Sequence, residues 1–278
     1  MSALEELQVQ GRQAAREAAP WVGRLARMGY AARGVVYVLV GGIAARAAWG
    51  AGERATGSEG AMVAILHQPF GRALLAGVAL GLAGHALHRG VQAALDTEGR
   101  GGDAGGMLRR AGYALSGLVH TGLAWTAAGM ALAGSGSDRE DAGRRTETLL
   151  SQPFGEWLTV AVGLGFVGFG AYELYRAAAS DPAKRMDLAG VGAGTRLWMV
   201  RAARAGLASR GVVFGLIGVF LVRAALHHDP GEARGLGGAL RALQEREHGP
   251  WLLGATALGL VAYGVFELAK ARYRRIGH

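Results

Sequence analysis

Hydrophobic residues gather into six long runs, at roughly 31–49, 73–94, 111–133, 157–178, 206–226 and 251–270, with polar and charged residues between them. At 1.5 Å per residue, each run can cross a hydrocarbon core of about 30 Å as a helix. None of them alternates like a barrel strand, and lipid offers the backbone no hydrogen bonds, so the pattern predicts six transmembrane helices. Shorter half-apolar stretches at Ala61–Leu66, Thr146–Leu150 and Leu236–Leu243 precede the second, fourth and sixth runs. They are predicted to be interfacial helices on the outer leaflet. Residues 1–20 are polar, and Ser2 with Glu5 fits a capping box for a short surface helix.

The runs come in pairs, because one phrase recurs three times. It reads Arg27-Met28-Gly29-Tyr30-Ala31-Ala32-Arg33-Gly34, then Arg110-Ala111-Gly112-Tyr113-Ala114-Leu115-Ser116-Gly117, then Arg204-Ala205-Gly206-Leu207-Ala208-Ser209-Arg210-Gly211. A second phrase opens the partner run each time: Gln68-Pro69-Phe70-Gly71, Gln152-Pro153-Phe154-Gly155 and the looser His248-Gly249-Pro250-Trp251. The expected organisation is a polar segment, 1–20, followed by three two-helix repeats at 21–95, 107–178 and 196–275. A two-span repeat keeps its orientation in every copy, so an all-α bundle with a pseudo-threefold axis along the membrane normal is predicted.

Charge fixes the expected orientation. The chain carries a formal +9, but its Lys and Arg are unevenly placed: 20 lie at the termini and the 2–3 and 4–5 connectors, and 10 in the alternate connectors. The positive-inside rule puts both termini in the cytoplasm and points to a bilayer, with anionic headgroups on its cytoplasmic face, instead of nucleic acid. Val35–Ile43 followed by Ala45-Arg46-Ala47 has the outline of a signal peptide, yet the same segment recurs internally at Arg210–Ala225, so it is read as a span. The chain has no cysteine, which removes disulfides, thiolate metal sites and cysteine nucleophiles. No Walker loop, His-Glu-x-x-His or Gly-x-Ser-x-Gly is present, and Gly-Val-Gly-Ala-Gly at 190–194 follows no strand.

The triplicated Arg-x-Gly-Tyr-x-x-Arg-Gly phrase with its Gln-Pro-Phe-Gly turn resembles a bacterial membrane family catalogued as domain of unknown function 1206. The resemblance covers about residues 22–275 and implies three two-helix units. It brings no activity and no catalytic residues. Ser116 and Leu207 depart from the phrase.

Aligned columns supply the candidate sites. Small residues repeat along every second helix, at Gly77, Gly81 and Gly84, at Gly165 and Gly168, and at Gly259, a pattern that lets helices pack closely in lipid. Arg33 and Arg210 share a column with Ser116, and Glu173 and Glu267 share one with Arg89, all near the cytoplasmic boundary. Because buried charges seek partners, Arg210 is expected to pair with Glu267, and Arg33 with Glu173. Arg46 and Arg223 form an outer column that either snorkels or lines an anion-attracting cavity.

His85 and His88 lie one turn apart on one side of the second run, His120 lies in the third at a depth similar to His85, and facing imidazoles there are a candidate haem or proton-relay site. Their columns otherwise hold Phe169, Tyr263, Tyr37 and Phe214, so aromatic packing explains them as well, and no cofactor is the expectation. Two functional classes follow. One is a non-catalytic membrane scaffold or accessory protein. The other is a small-solute or ion carrier with a polar axis near Ser116, His120 and Thr121.

Overall fold

The computed structural model describes residues 3–50, 54–95, 103–134, 146–148, 150–152, 154–184 and 186–274. The long helices are α1 (Ala3–Trp49), α3 (Gly71–Leu95), α4 (Ala104–Ala133), α5 (Gly155–Ala179), α6 (Ala193–Leu226) and α8 (Gly249–Tyr273). Two short ones, α2 (Ser58–Leu66) and α7 (Leu236–Gln244), coincide with two of the three half-apolar stretches. The third stretch falls only partly within the described residues. Helix α1 runs unbroken from the polar N-terminal segment into the first apolar run, and Ser2, the expected cap, lies outside the described residues.

Five helices contain a stretch long and apolar enough to cross a membrane: Ala26–Trp49, Gly71–Ala94, Gly155–Ala179, Ala193–Leu226 and Gly249–Tyr273. Helix α4 has 30 residues but falls outside this set. Ser116, His120, Thr121 and Thr126 dilute its apolarity, and the two threonines return their hydroxyls to carbonyls one turn back. Its ends are well defined, since Asp103 accepts from the Gly106 amide at 2.9 Å and Gly134 closes it at φ 71°.

The helices pack in the order α4, α3, α1, α8, α6, α5, each against the next. Short α2 rests on α1, α3 and α4, and α7 on α6 and α8. Gln244, just past the last turn of α7, ties to the far end of α1 through the Ala47 carbonyl at 3.1 Å and the Ala55 amide at 3.3 Å. The broadest interfaces join copies: α1 with α8, α4 with α3 and α6 with α5.

The repeated phrase accounts for this order residue by residue. Its first arginine reaches the C-terminal carbonyls of the preceding copy's second helix: Arg27 to Ala271 and Arg272, Arg110 to Ala93 and Ala94, and Arg204 to Ser180. Helix C-termini carry unsatisfied carbonyls and partial negative charge, so a guanidinium is well placed there. The second glycine lets the same two helices touch. A β-carbon at Gly34 would lie 2.9 Å from the Gly264 carbonyl, one at Gly211 2.8 Å from that of Gly170, and one at Gly117 3.3 Å from that of Ala86.

The first glycine belongs to the interface inside a copy. At Gly29 a β-carbon would meet that of His85 at 2.7 Å, and at Gly206 it would meet that of Tyr263 at 2.5 Å. The same position in the middle copy, Gly112, has open space around it. Copies one and three therefore close their own helix pairs, α1 with α3 and α6 with α8, whereas α4 and α5 form no such interface among the described residues.

Two more columns show why. Gly81 nestles against Ala32 and Gly259 against Ser209, but the middle copy carries Leu115 in the column of Ala32 and Ser209. Leucine cannot let two backbones approach as alanine or serine does. Gly165 and Gly168 are consequently exposed with nothing near them, and Gly77 is likewise open, so the small-residue stripe expected on every second helix packs only through Gly81, Gly84 and Gly259.

The second phrase keeps one geometry as well. The Gly71, Gly155 and Gly249 amides each donate 2.8 Å back across the turn, to Gln68, Gln152 and Arg246. Phe70 and Phe154 sit in the left-handed region at φ 61° and 63°, unusual for aromatic residues, and both residues are exposed.

Candidate functional site

Three aromatic pairs meet edge-to-face or tilted where the helices of neighbouring copies pack. Tyr37 on α1 meets Tyr263 on α8 with centroids 4.9 Å apart, Phe214 on α6 meets Phe169 on α5 at 5.1 Å, and His120 on α4 meets His85 on α3 at 4.7 Å. The two histidines thus occupy one of three equivalent aromatic positions. Rings in contact at this distance leave no room for a haem plane between them, and His85 Nε2 is already engaged, 3.1 Å from Arg33 Nη1. His88 is half-buried. Among the described residues no cluster of three or more His, Asp and Glu could hold a metal ion.

One turn farther along, toward the end where the first arginine of each phrase lies, is a layer of buried charge. Arg33 Nη1 is 3.3 Å from Glu267 Oε2, and Arg210 Nη1 is 3.6 Å from Glu173 Oε2. The partners are exchanged relative to the sequence expectation of Arg210 with Glu267 and Arg33 with Glu173. Both pairs join a first helix to the preceding copy's second helix, following the same cyclic rule as the glycines and aromatics. Each second helix then repeats an i,i+3 contact: Glu267 with Lys270, Glu173 with Arg176 at 3.1 Å, and Arg89 with Gln92 at 3.0 Å.

Tyr263 links the two ion pairs. Its hydroxyl accepts from Arg33 Nη2 at 2.9 Å and from Arg210 Nη1 at 2.6 Å, while the Arg210 guanidinium also lies over the Tyr263 ring, 4.4 Å from its centroid. Stacking on the ring and pairing with an acceptor in its plane suits the flat guanidinium better than a lysine ammonium. Arg33, Arg210, Glu173, Glu267 and Tyr263 are all under 8% exposed. Among the described residues the layer carries more positive than negative charge: Arg33, Arg176, Arg210 and Lys270 pair with Glu173 and Glu267, and Arg89 meets Gln92.

The α3–α4 interface departs from the pattern on both of its helices, and the two departures make sense together. Where the other interfaces oppose arginine with glutamate, Ser116 opposes Arg89, which lies over the Tyr113 ring at 5.0 Å with its β-carbon packed on Gly117. An arginine in place of Ser116 would meet Arg89 with like charge.

A family model described as a Domain of Unknown Function (DUF1206) matches residues 28–96, 111–180 and 205–274. This chain belongs to the DUF1206 family. An uncharacterised protein of Bacillus subtilis strain 168, YxxB, is similar to it at 34% identity over 261 residues, covering 94% of each chain. No solved structure matches.

In this DUF1206 chain the remaining candidates lie at the end of the bundle away from the charged layer. Arg46 and Arg223 are both exposed. Arg223 Nε pairs with Glu232 at 3.2 Å, and His227 Nδ1 contacts the other oxygen of that carboxylate at 3.0 Å. The His227 hydrogen bond, reinforced by Arg223, holds the Glu232 carboxyl below the usual carboxylate range. Arg223 already has an acidic partner, so the column is a poor match for an external anion.

Tyr263 as a bridge, and Lys270 and Arg176 as third members of the layer, were not identified from sequence. The available signal is a tyrosine hydroxyl in the column of His85 and Phe169, one turn from the arginines.

Proposed function

We propose that this chain is a non-catalytic scaffold or accessory protein of the bacterial cytoplasmic membrane, with six spans including α4 and both termini in the cytoplasm. Its three copies form a pseudo-threefold ring that is closed between and within copies except at the α4–α5 side. The ring is assembled by a sequence phrase in which every member has a packing or capping duty, and this carries the reading: Arg caps, Gly admits, and Arg pairs, with no side chain set aside for chemistry. Outward of the charged layer the interior is filled by Val40, Leu82, Ala127, Val213, Ala257 and Leu260, all buried. A solute path along the axis would need polar groups where these stand.

The test is reconstitution. In sealed liposomes the purified chain is expected to add no flux of chloride, phosphate, potassium or protons above empty vesicles. Flux that scales with the amount of protein and is lost on Leu260→Trp would replace this reading with the carrier reading.

A further inference from the structure

We propose that Arg89, Ser116, His85 and His120, between α3 and α4, form a binding site for a phosphate-type oxyanion that substitutes for the carboxylate missing from this one of the three inter-copy interfaces. The site stands on local geometry and does not depend on the scaffold reading.

Two of the three inter-copy interfaces are complete. Arg33 with Glu267 and Arg210 with Glu173 show what this position in the ring requires, a buried guanidinium opposed by an anionic oxygen pair. At the third position Arg89 supplies the guanidinium from the other helix, and Ser116 opposes it without a carboxylate. Serine fills far less of the space there than arginine does, and Ser116 is only half-buried.

The polar groups around this space are predominantly donors. Arg89 Nε is buried and has no hydrogen-bond partner. A guanidinium can only donate, so Arg33 Nη1 donates to His85 Nε2, and in the neutral ring the proton sits on Nδ1. His85 is fully buried and its Nδ1 is unpartnered. His120 Nδ1 donates to the Ser116 carbonyl at 2.7 Å, leaving Nε2 to take a proton from a phosphate or, once protonated, to donate to one. Unpaired donors, a hydroxyl and surplus positive charge favour an oxyanion and disfavour a cation. Inorganic phosphate and the phosphodiester of an anionic lipid share this chemistry.

The complete interfaces supply the control. The double change Arg89→Glu with Ser116→Arg rebuilds the ion pair of the other two positions and removes the need for an external anion. The full chain in a zwitterionic detergent is titrated with inorganic phosphate, and in parallel recovered from nanodiscs of phosphatidylglycerol mixed with phosphatidylcholine and weighed by native mass spectrometry.

If free phosphate is the ligand, 10 mM phosphate should raise the wild-type midpoint by about 2–4 °C and leave the double variant unmoved. If a lipid is the ligand, phosphate does nothing, phosphatidylglycerol is retained several-fold over phosphatidylcholine, and the double variant loses that preference. Should the double variant fail to fold, Arg89→Gln is the second probe and must lose the same response. Equal behaviour of wild type and variants in both arms overturns the site.

Discussion

Replacing Arg33 with methionine while leaving Glu267 in place is expected to cost about 3–5 kcal/mol, the usual cost of stranding one member of a buried ion pair. The cost should be the same in kind for Arg210→Met with Glu173 left behind. Neutralising both members together, as in Arg33→Met with Glu267→Leu, should cost much less than the sum. Coupling of about 2 kcal/mol is expected for Arg33 with Glu267 and for Arg210 with Glu173. The crossed combinations, Arg33 with Glu173 and Arg210 with Glu267, should couple by under about 0.5 kcal/mol. Because Tyr263 accepts from both arginines, the cycles are repeated with Tyr263→Phe, which removes coupling carried through its hydroxyl. Chemical denaturation in mixed micelles reads the differences, and larger crossed than direct coupling would contradict the assigned partners.

The second large effect separates two residues that the sequence makes equivalent. Gly206→Ala places a β-carbon 2.5 Å from the Tyr263 β-carbon and 2.7 Å from its α-carbon, so helices α6 and α8 must part. Overpacking of this sort costs about 1–3 kcal/mol, and the backbone contact puts Gly206→Ala at the upper end. Gly112→Ala occupies the same place in the phrase, but there is nothing within 4 Å. Removing a helical glycine there should stabilise the protein by about 0.5–1 kcal/mol. Opposite signs at aligned positions, read from thermal midpoints in one detergent, are the expected result; a matching loss at both would mean that α4 and α5 pack as the other pairs do.

Much of this was legible in the sequence. The apolar runs, the tandem phrases and the shared depth of Arg33, Arg210, Glu173 and Glu267 all follow from spacing along the chain. What spacing conveys is depth, and it says nothing of which way a helix face turns. The arginine column faces the preceding copy and the first-glycine column faces the copy's own second helix, so pairing by depth alone exchanged the partners.

The open α4–α5 side escaped notice for a different reason. A glycine stripe shows only that a helix can be approached closely. Whether it is approached depends on the opposing residue, and Leu115 in the column of Ala32 and Ser209 was the signal. Tyr263 was read as one more aromatic in its column, although a hydroxyl between two arginines is what lets both guanidinium groups stay buried.

The central claim is that each copy's first helix docks on the preceding copy's second helix. The chain has no cysteine, so paired cysteines can be installed without background. In native membranes, a short bifunctional thiol reagent should link Tyr37→Cys with Tyr263→Cys, Phe214→Cys with Phe169→Cys, and His120→Cys with His85→Cys, while Gly112→Cys with Phe169→Cys stays unlinked. Linking of that last pair, with the first three left apart, would contradict the cyclic arrangement.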